Sequence, residues 1–203
     1  SADCDTPHMN ATGGAVNMYL LDPKSHLGGK LVGSYGNYNA RRIFGRLDTG
    51  YVGNTNLKGF VSFSYAAQDS WRGPGGQNKM HGETKWVNKW GNGNSVSFTL
   101  VGNQSEGVLF PTTYMDTWQK TGIHNAYEST WDPKHPSKNY YELHRNPFTN
   151  IYASAPSVFT LTNNLKLTAT PYFWYGNGNG GGAYSESLVA QQYGNQKVGA
   201  SIG

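Results

Sequence analysis

A chain of 203 residues is long enough for one domain with its own core, at roughly 100 to 200 residues per domain. Only 14% of the residues are charged, against about 25% in typical soluble domains, while 27 are glycine and 14% are aromatic. This excludes a disordered tail, which would be charged and poor in aromatics, and a helical bundle, which would be rich in Ala, Glu, Lys and Leu. The formal net charge of +4 is spread singly rather than in a basic run, so no nucleic-acid partner is expected. The single cysteine, Cys4, cannot form an internal disulfide. No stretch approaches the ~18 to 20 consecutive apolar residues of a membrane-spanning helix.

In chain order the first strands are expected at 29 to 36 and 40 to 50, joined near Gly36-Asn37-Tyr38-Asn39, with Arg42, Arg46 and Asp48 on one face. From Leu57 the alternation is plain. Leu57, Gly59, Val61, Phe63 and Tyr65 fall on one side, while Lys58, Ser62, Ser64 and Gln68 make the other side polar, with Phe60 the exception. A hairpin follows, in which Met80, Thr84, Trp86 and Trp90 oppose His81, Glu83, Lys85, Val87 and Lys89. It turns at Gly91 to Asn94 and returns with Val96, Phe98 and Leu100 alternating with Ser95, Ser97 and Thr99. A second hairpin runs from 143 to 161, turns at Thr162-Asn163-Asn164, and continues from 165 to 175. Together these make seven strands, with 57 to 68, 80 to 90 and 95 to 104 as the middle three.

The turns at 51 to 56, 91 to 94 and 162 to 164 are short, whereas 69 to 79 and 105 to 142 are long, with the first connection an exception. Short turns at one end and long loops at the other describe an outer-membrane barrel, with strands of ~9 to 11 residues and interfacial aromatics such as Tyr35, Trp86, Trp90 and Tyr175. A soluble antiparallel sandwich alternates in the same way. The two differ in one respect. A sandwich buries the apolar parity between two sheets, whereas a barrel exposes Leu57, Val61, Phe63, Val96, Phe98, Leu100, Leu165, Leu167 and Phe173 as a band about 25 Å tall.

The ordered series Ala11-Thr12-Gly13-Gly14-Ala15-Val16-Asn17, then Asp22-Pro23, then Gly28-Gly29 and Gly33-Ser34-Tyr35-Gly36-Asn37-Tyr38-Asn39-Ala40-Arg41-Arg42, resembles the junction between plug and first barrel strand of TonB-dependent outer-membrane receptors. Asp48-Thr49-Gly50 and Asp69-Ser70-Trp71-Arg72-Gly73-Pro74 are also similar to sequences in that family. The resemblance implies that residues 1 to 28 are the C-terminal end of a plug domain and 29 to 203 the N-terminal part of a barrel of about 22 strands. Gly13, Gly14, Asn17, Pro23, Gly28 and Gly29 would then form the plug-barrel junction, where glycine permits close backbone approach and proline stops strand pairing. The chain would be a piece of a longer receptor in the outer membrane of a Gram-negative bacterium. The TonB complex would be its partner, through a coupling box upstream of Ser1, with outer-membrane lipid around it.

No catalytic constellation is found, and no cofactor or metal site is expected: the six histidines lack ligand spacing, and Gly176 to Ala183 lacks the Lys-Ser/Thr of a phosphate loop. Binding chemistry concentrates in the loop 105 to 142. Tyr114, Trp118, His124, Trp131, Tyr140 and Tyr141, with neighbouring lysines, combine aromatic planes and cations in a way that suits a partly aromatic, anionic ligand such as a ferric siderophore. The same aromatics could pack the loop into a cap. In the rival function class, a soluble or secreted carbohydrate-binding module, they would stack on sugars. A small uncoupled porin is a third class.

Overall fold

The computed structural model describes residues 20–181, except 136 and 138, together with 191–193 and 196–198. Its frame is one open antiparallel sheet of nine strands: β1 (Leu27–Gly36), β2 (Ala40–Tyr51), β3 (Leu57–Asp69), β4 (Gly76–Trp90), β5 (Asn94–Gly107), β6 (Phe148–Ser154), β7 (Ser157–Thr162), β8 (Leu165–Ala169) and β9 (Tyr172–Gly178). Each strand pairs with its neighbour in sequence from β1 to β5. Beyond β5, β6 and β7 lie end to end along that strand, while β9 and β8 extend the sheet beyond them. The nine strands therefore follow seven paths, the seven read from the sequence. Proline divides the last two paths. Pro156 and Pro171 interrupt adjacent strands side by side, and because neither has an N–H, the ladder gives way to bonds from Ala155 N–H to Pro171 O and Ser97 N–H to Pro156 O. A separate pair, β10 (Gln191–Tyr193) with β11 (Gln196–Val198), completes the strands.

The structure lengthens six of the seven expected strands, β2 and β3 by a single residue each and the last to Gly178, and shortens the start of the other. β1 begins at Leu27, so Gly28 and Gly29 belong to the strand itself; β4 and β5 also run longer. β6 begins only at Phe148 because residues 141–144 form a 3-10 turn and Pro147 follows. Within the long loop, Met115–Thr121 forms a helix, α1, that the sequence reading treated as irregular. It has Asp116 in its first turn, Lys120 in its last and a positive-φ Gly122 as its stop.

Register sorts the side chains into two faces. The row Gly45, Phe63, Gly82, Gly102, Ile151 and Tyr175 is joined pair by pair across six strands, and alternation carries Leu31, Leu47, Val61, Phe98, Leu100 and Phe173 onto the same face. This face is apolar and open, with Leu31 77%, Phe63 49% and Phe173 59% exposed. Among the described residues the only buried hydrophobic side chains are Phe60 and Val87, and both point to the opposite, polar face. On the apolar face the glycines make room for rings: a Cβ at Gly59 would overlap the indole of Trp86, its cross-strand partner.

One bulge breaks the alternation. Between Asp48 and Tyr51 the β2–β3 register shifts, Thr49 Oγ1 accepts the Gly59 N–H at 3.0 Å, and Tyr51 emerges opposite Lys58 on the polar face. Gly50 makes the bulge possible, with φ +66 and its missing Cβ directed at the Leu27 backbone nitrogen, 2.7 Å away. Gly53 also has positive φ, +57, but has nothing within 4 Å. Gly50→Ala should therefore lower stability by about 1–3 kcal/mol and Gly53→Ala by only about 1 kcal/mol, read as shifts in urea midpoint. Equal shifts would show that the Leu27 backbone yields.

Candidate binding surface

The polar face is built around Phe60. In its cross-strand row Phe60 lies between Asp48 and Lys85. The Arg46 guanidinium sits 3.7 Å from the Phe60 ring centroid and donates to both Asp48 carboxylate oxygens at 2.9 and 2.7 Å. Asp48, 1% exposed, also accepts the backbone N–H of Lys24 at 2.9 Å. On the other side Lys85 Nζ donates to Asp22 Oδ1 at 2.7 Å and to the Leu20 carbonyl at 3.0 Å. The segment before β1 is thus tied down at Lys24 by one flank of Phe60 and at Leu20 and Asp22 by the other, with Pro23 buried between the anchors. This accounts for the one aromatic that broke the polar alternation.

Further along the face Glu83 accepts from Ser62 Oγ at 3.0 Å and pairs with His81 Nε2 at 3.3 Å, while His81 Nδ1 meets the Asn103 carboxamide. Glu83 is thereby engaged from both sides. No three His, Cys, Asp or Glu side chains among the described residues come together as a metal site.

At the other end of the sheet the connections 70–75 and 108–147 fold against each other. Arg72 is the hinge of that contact: 9% exposed, it donates to the Pro111 carbonyl at 2.8 Å, with Phe110, Trp118 and Trp71 ring centroids at 4.8, 5.8 and 5.8 Å. Gly73 and Gly75 have positive φ, and a Cβ on them would meet Ala126 and Val108 of the long loop. Tyr127 stacks on the buried His144 ring at 3.7 Å, and its burial raises the phenol above its ordinary pKa. Arg145 joins Glu106 to Glu142, which the Tyr141 hydroxyl, donating at 2.7 Å, holds below the usual carboxylate range.

The loop residues expected to bind ligand are not gathered in one place. Trp131, Tyr140 and Tyr141 form one cluster, with ring centroids 5.5 and 5.2 Å apart in succession. Trp118 belongs instead to the Arg72 cage. Tyr114 precedes α1 at its N-cap position, makes no side-chain cap hydrogen bond and is 84% exposed; His124 is exposed as well, and no ring contact among the described residues joins either to the others. Of the junction residues, Pro23 is buried on the polar face, and Gly29 lies close enough to Arg46 O that a Cβ would approach it to 3.2 Å. Gly13, Gly14 and Asn17 lie outside the described residues. What the sequence reading missed is a surface rather than a residue. A concavity of about 700 Å³ at the loop end touches β1 to β5 and the long loop, including Arg42, Lys79, Ser105 and Asn146. Two of its cations, Arg42 and Lys79, stand far apart in the sequence, and only the register brings them together.

The docked segment carries a pH dependence. The Lys85 hydrogen bond, opposed by partial burial, holds the Asp22 carboxyl below its ordinary value of 3.8. A carboxyl depressed by folding contributes stability that is fully present above its unfolded pKa and is lost as pH falls through the folded value. Amide exchange at Lys24 should therefore stay slow and constant from about pH 7 to 5 and accelerate, after correction for intrinsic rates, below the ordinary carboxylate range near 3.8. Asp22→Asn should show the faster corrected exchange already at neutral pH. No protein-family model matches the chain, and no curated protein and no solved structure matches it either.

Proposed function

We propose that the sheet is part of the wall of an outer-membrane β-barrel, and that the chain belongs to a receptor that takes up a scarce ligand, a ferric siderophore, with energy from a TonB complex. The observation that carries the reading is the polarity of the two faces. Leu31, Leu47, Val61, Phe63, Phe98, Leu100 and Phe173 lie open on one face, while the buried Arg46–Asp48 pair, the Lys85–Asp22 pair and a docked segment occupy the other. In water an apolar surface continuous across seven strand paths would be a severe liability; facing lipid it is the expected outside of a barrel.

The length of the band supports the same reading. On β3 the apolar parity runs from Leu57 to Tyr65, ~27 Å along the strand at ~3.4 Å per residue, or about 20 Å of height at a tilt near 40°. Aromatics flank it. Trp86 and Trp90 stand toward the short-turn end, where Trp90 meets Phe159 edge-on at 6.3 Å, and Tyr35, Tyr65 and Tyr175 stand toward the long-loop end. The segment at 20–26 enters from the short-turn end and lies on the polar face, as the last part of a plug would lie inside a lumen. In this reading ligand meets the long loops first, and traction on the plug by TonB opens the path along the polar face.

Two positions on β3 test the membrane placement. Val61→Arg, at the centre of the Leu57 to Tyr65 stretch, should cost about 2–4 kcal/mol of folding stability in lipid vesicles, as an arginine near the bilayer midplane does, and Ser64→Arg, on the polar face, distinctly less. The reversed order would assign the faces the other way round. Uptake is tested in the source organism: deleting the gene, or the TonB gene, should abolish accumulation of radiolabelled iron from its siderophore, and undiminished uptake in both strains would remove the transport reading.

A further inference from the structure

The charges of the sheet are divided nearly as unevenly as its apolar residues, Arg41 at the rim of the concavity being the one cation of β1 to β9 on the apolar parity. Lys30, Arg42, Lys58, Lys79, Lys89 and Lys166 all stand on the polar face, and none of them forms an ion pair among the described residues. The acids of that face, Asp48 and Glu83, are already engaged, by Arg46 and by His81 with Ser62. What remains is a surplus of positive charge over a low-dielectric wall, which attracts anions.

Two of these cations share one row. Register joins Ser34 to Arg42, Arg42 to Ala66, Ala66 to Lys79 and Lys79 to Ser105. Arg42 and Lys79 are therefore two strand spacings apart, about 9.6 Å between Cα atoms, with only the Ala66 methyl between them. All five residues line the concavity of about 700 Å³, closed on the loop side by Val108, Leu109 and Asn146. The acid that touches it, Glu106, comes from the opposite parity and is bound by Arg145.

We infer that the row Ser34, Arg42, Ala66, Lys79 and Ser105 is a binding site for a small soluble polyanion carrying at least two carboxylate or phosphate groups. The small Ala66 leaves room for the ligand between the cations. The planar guanidinium takes one oxyanion through paired N–H donors, the ammonium takes a second, and the serine hydroxyls at the ends of the row supply neutral hydrogen bonds. The biological role of the site rests on the uptake reading, within which it lies beneath the long loops, at the entrance to the polar face. Its geometry depends on the sheet register alone.

Citrate and pyrophosphate serve as probes, titrated calorimetrically into the full chain in a neutral detergent, with glucose as the uncharged control. Saturable binding of at least one polyanion, weakening as salt rises, is expected, with no heat from glucose. Arg42→Gln and Lys79→Gln, both at exposed positions, should each weaken it about tenfold, and Lys89→Gln, at the other end of the face, should leave it unchanged. Absence of saturable binding, or equal weakening by all three variants, overturns the site. So does competition by anionic lipid in micelles that bind neither probe, which would mark a headgroup surface instead. A chain that enters lipid but binds neither probe loses the site and keeps the membrane reading. One that binds both in water without detergent does the reverse.

Discussion

A carboxylate almost without access to water, that of Asp48, organises one end of this sheet. It is tolerable there because three donors converge on it, two from Arg46 and one from the Lys24 backbone, and each fixes something else. Arg46, held in place, lies over the Phe60 ring, which becomes an aromatic centre beneath the docked segment. Lys24, held in place, sets where the chain enters β1, and Lys85 completes the docking from the far flank of Phe60. Without this node the segment would have no reason to lie on the sheet.

The second organising constraint is period two. Because cross-strand partners share a face, one choice of register distributes the chemistry of the strands at once: Leu31, Leu47, Phe63 and Phe98 to one side, Lys30, Arg42, Lys79 and Lys89 to the other. The long connections gather at the end remote from the docked segment and pack around Arg72, whose guanidinium is shielded by rings rather than by an acid. Sheet, tethered segment and packed loops are thus three different solutions to burying or pairing charge in a chain that has little of it.

Much of this was legible in the sequence because alternation is local. Leu57 to Tyr65 needs no partner to declare its two sides, and Gly91 to Asn94 marks a turn by itself. The remainder was hidden for reasons of distance or length. Nothing near Arg72 announces Trp118, and nothing near Asp22 announces Lys85, since these pairs are brought together only by folding. Helix α1, at seven residues, is too short for a helical period to show. The Arg42, Ala66 and Lys79 row consists of unremarkable residues until two registers align them. Phe60 was visible as an exception but not explicable, because its cover comes from Arg46 on the neighbouring strand and from a segment more than thirty positions earlier.

The bulge at Gly50 has a consequence for how the gene can change. It is a parity switch inserted into β2: upstream of it Ile43 and Leu47 follow one alternation, and Tyr51 beyond it follows the other. Losing or gaining a single codon between Ala40 and Asp48 would therefore exchange the two faces over most of that strand, presenting Arg42 and Arg46 where Leu47 now stands. The same event in the turn at 52 to 56 would only alter the reach of a loop. Length variation among descendants of this sequence should accumulate in the connections and stop abruptly at the strand borders.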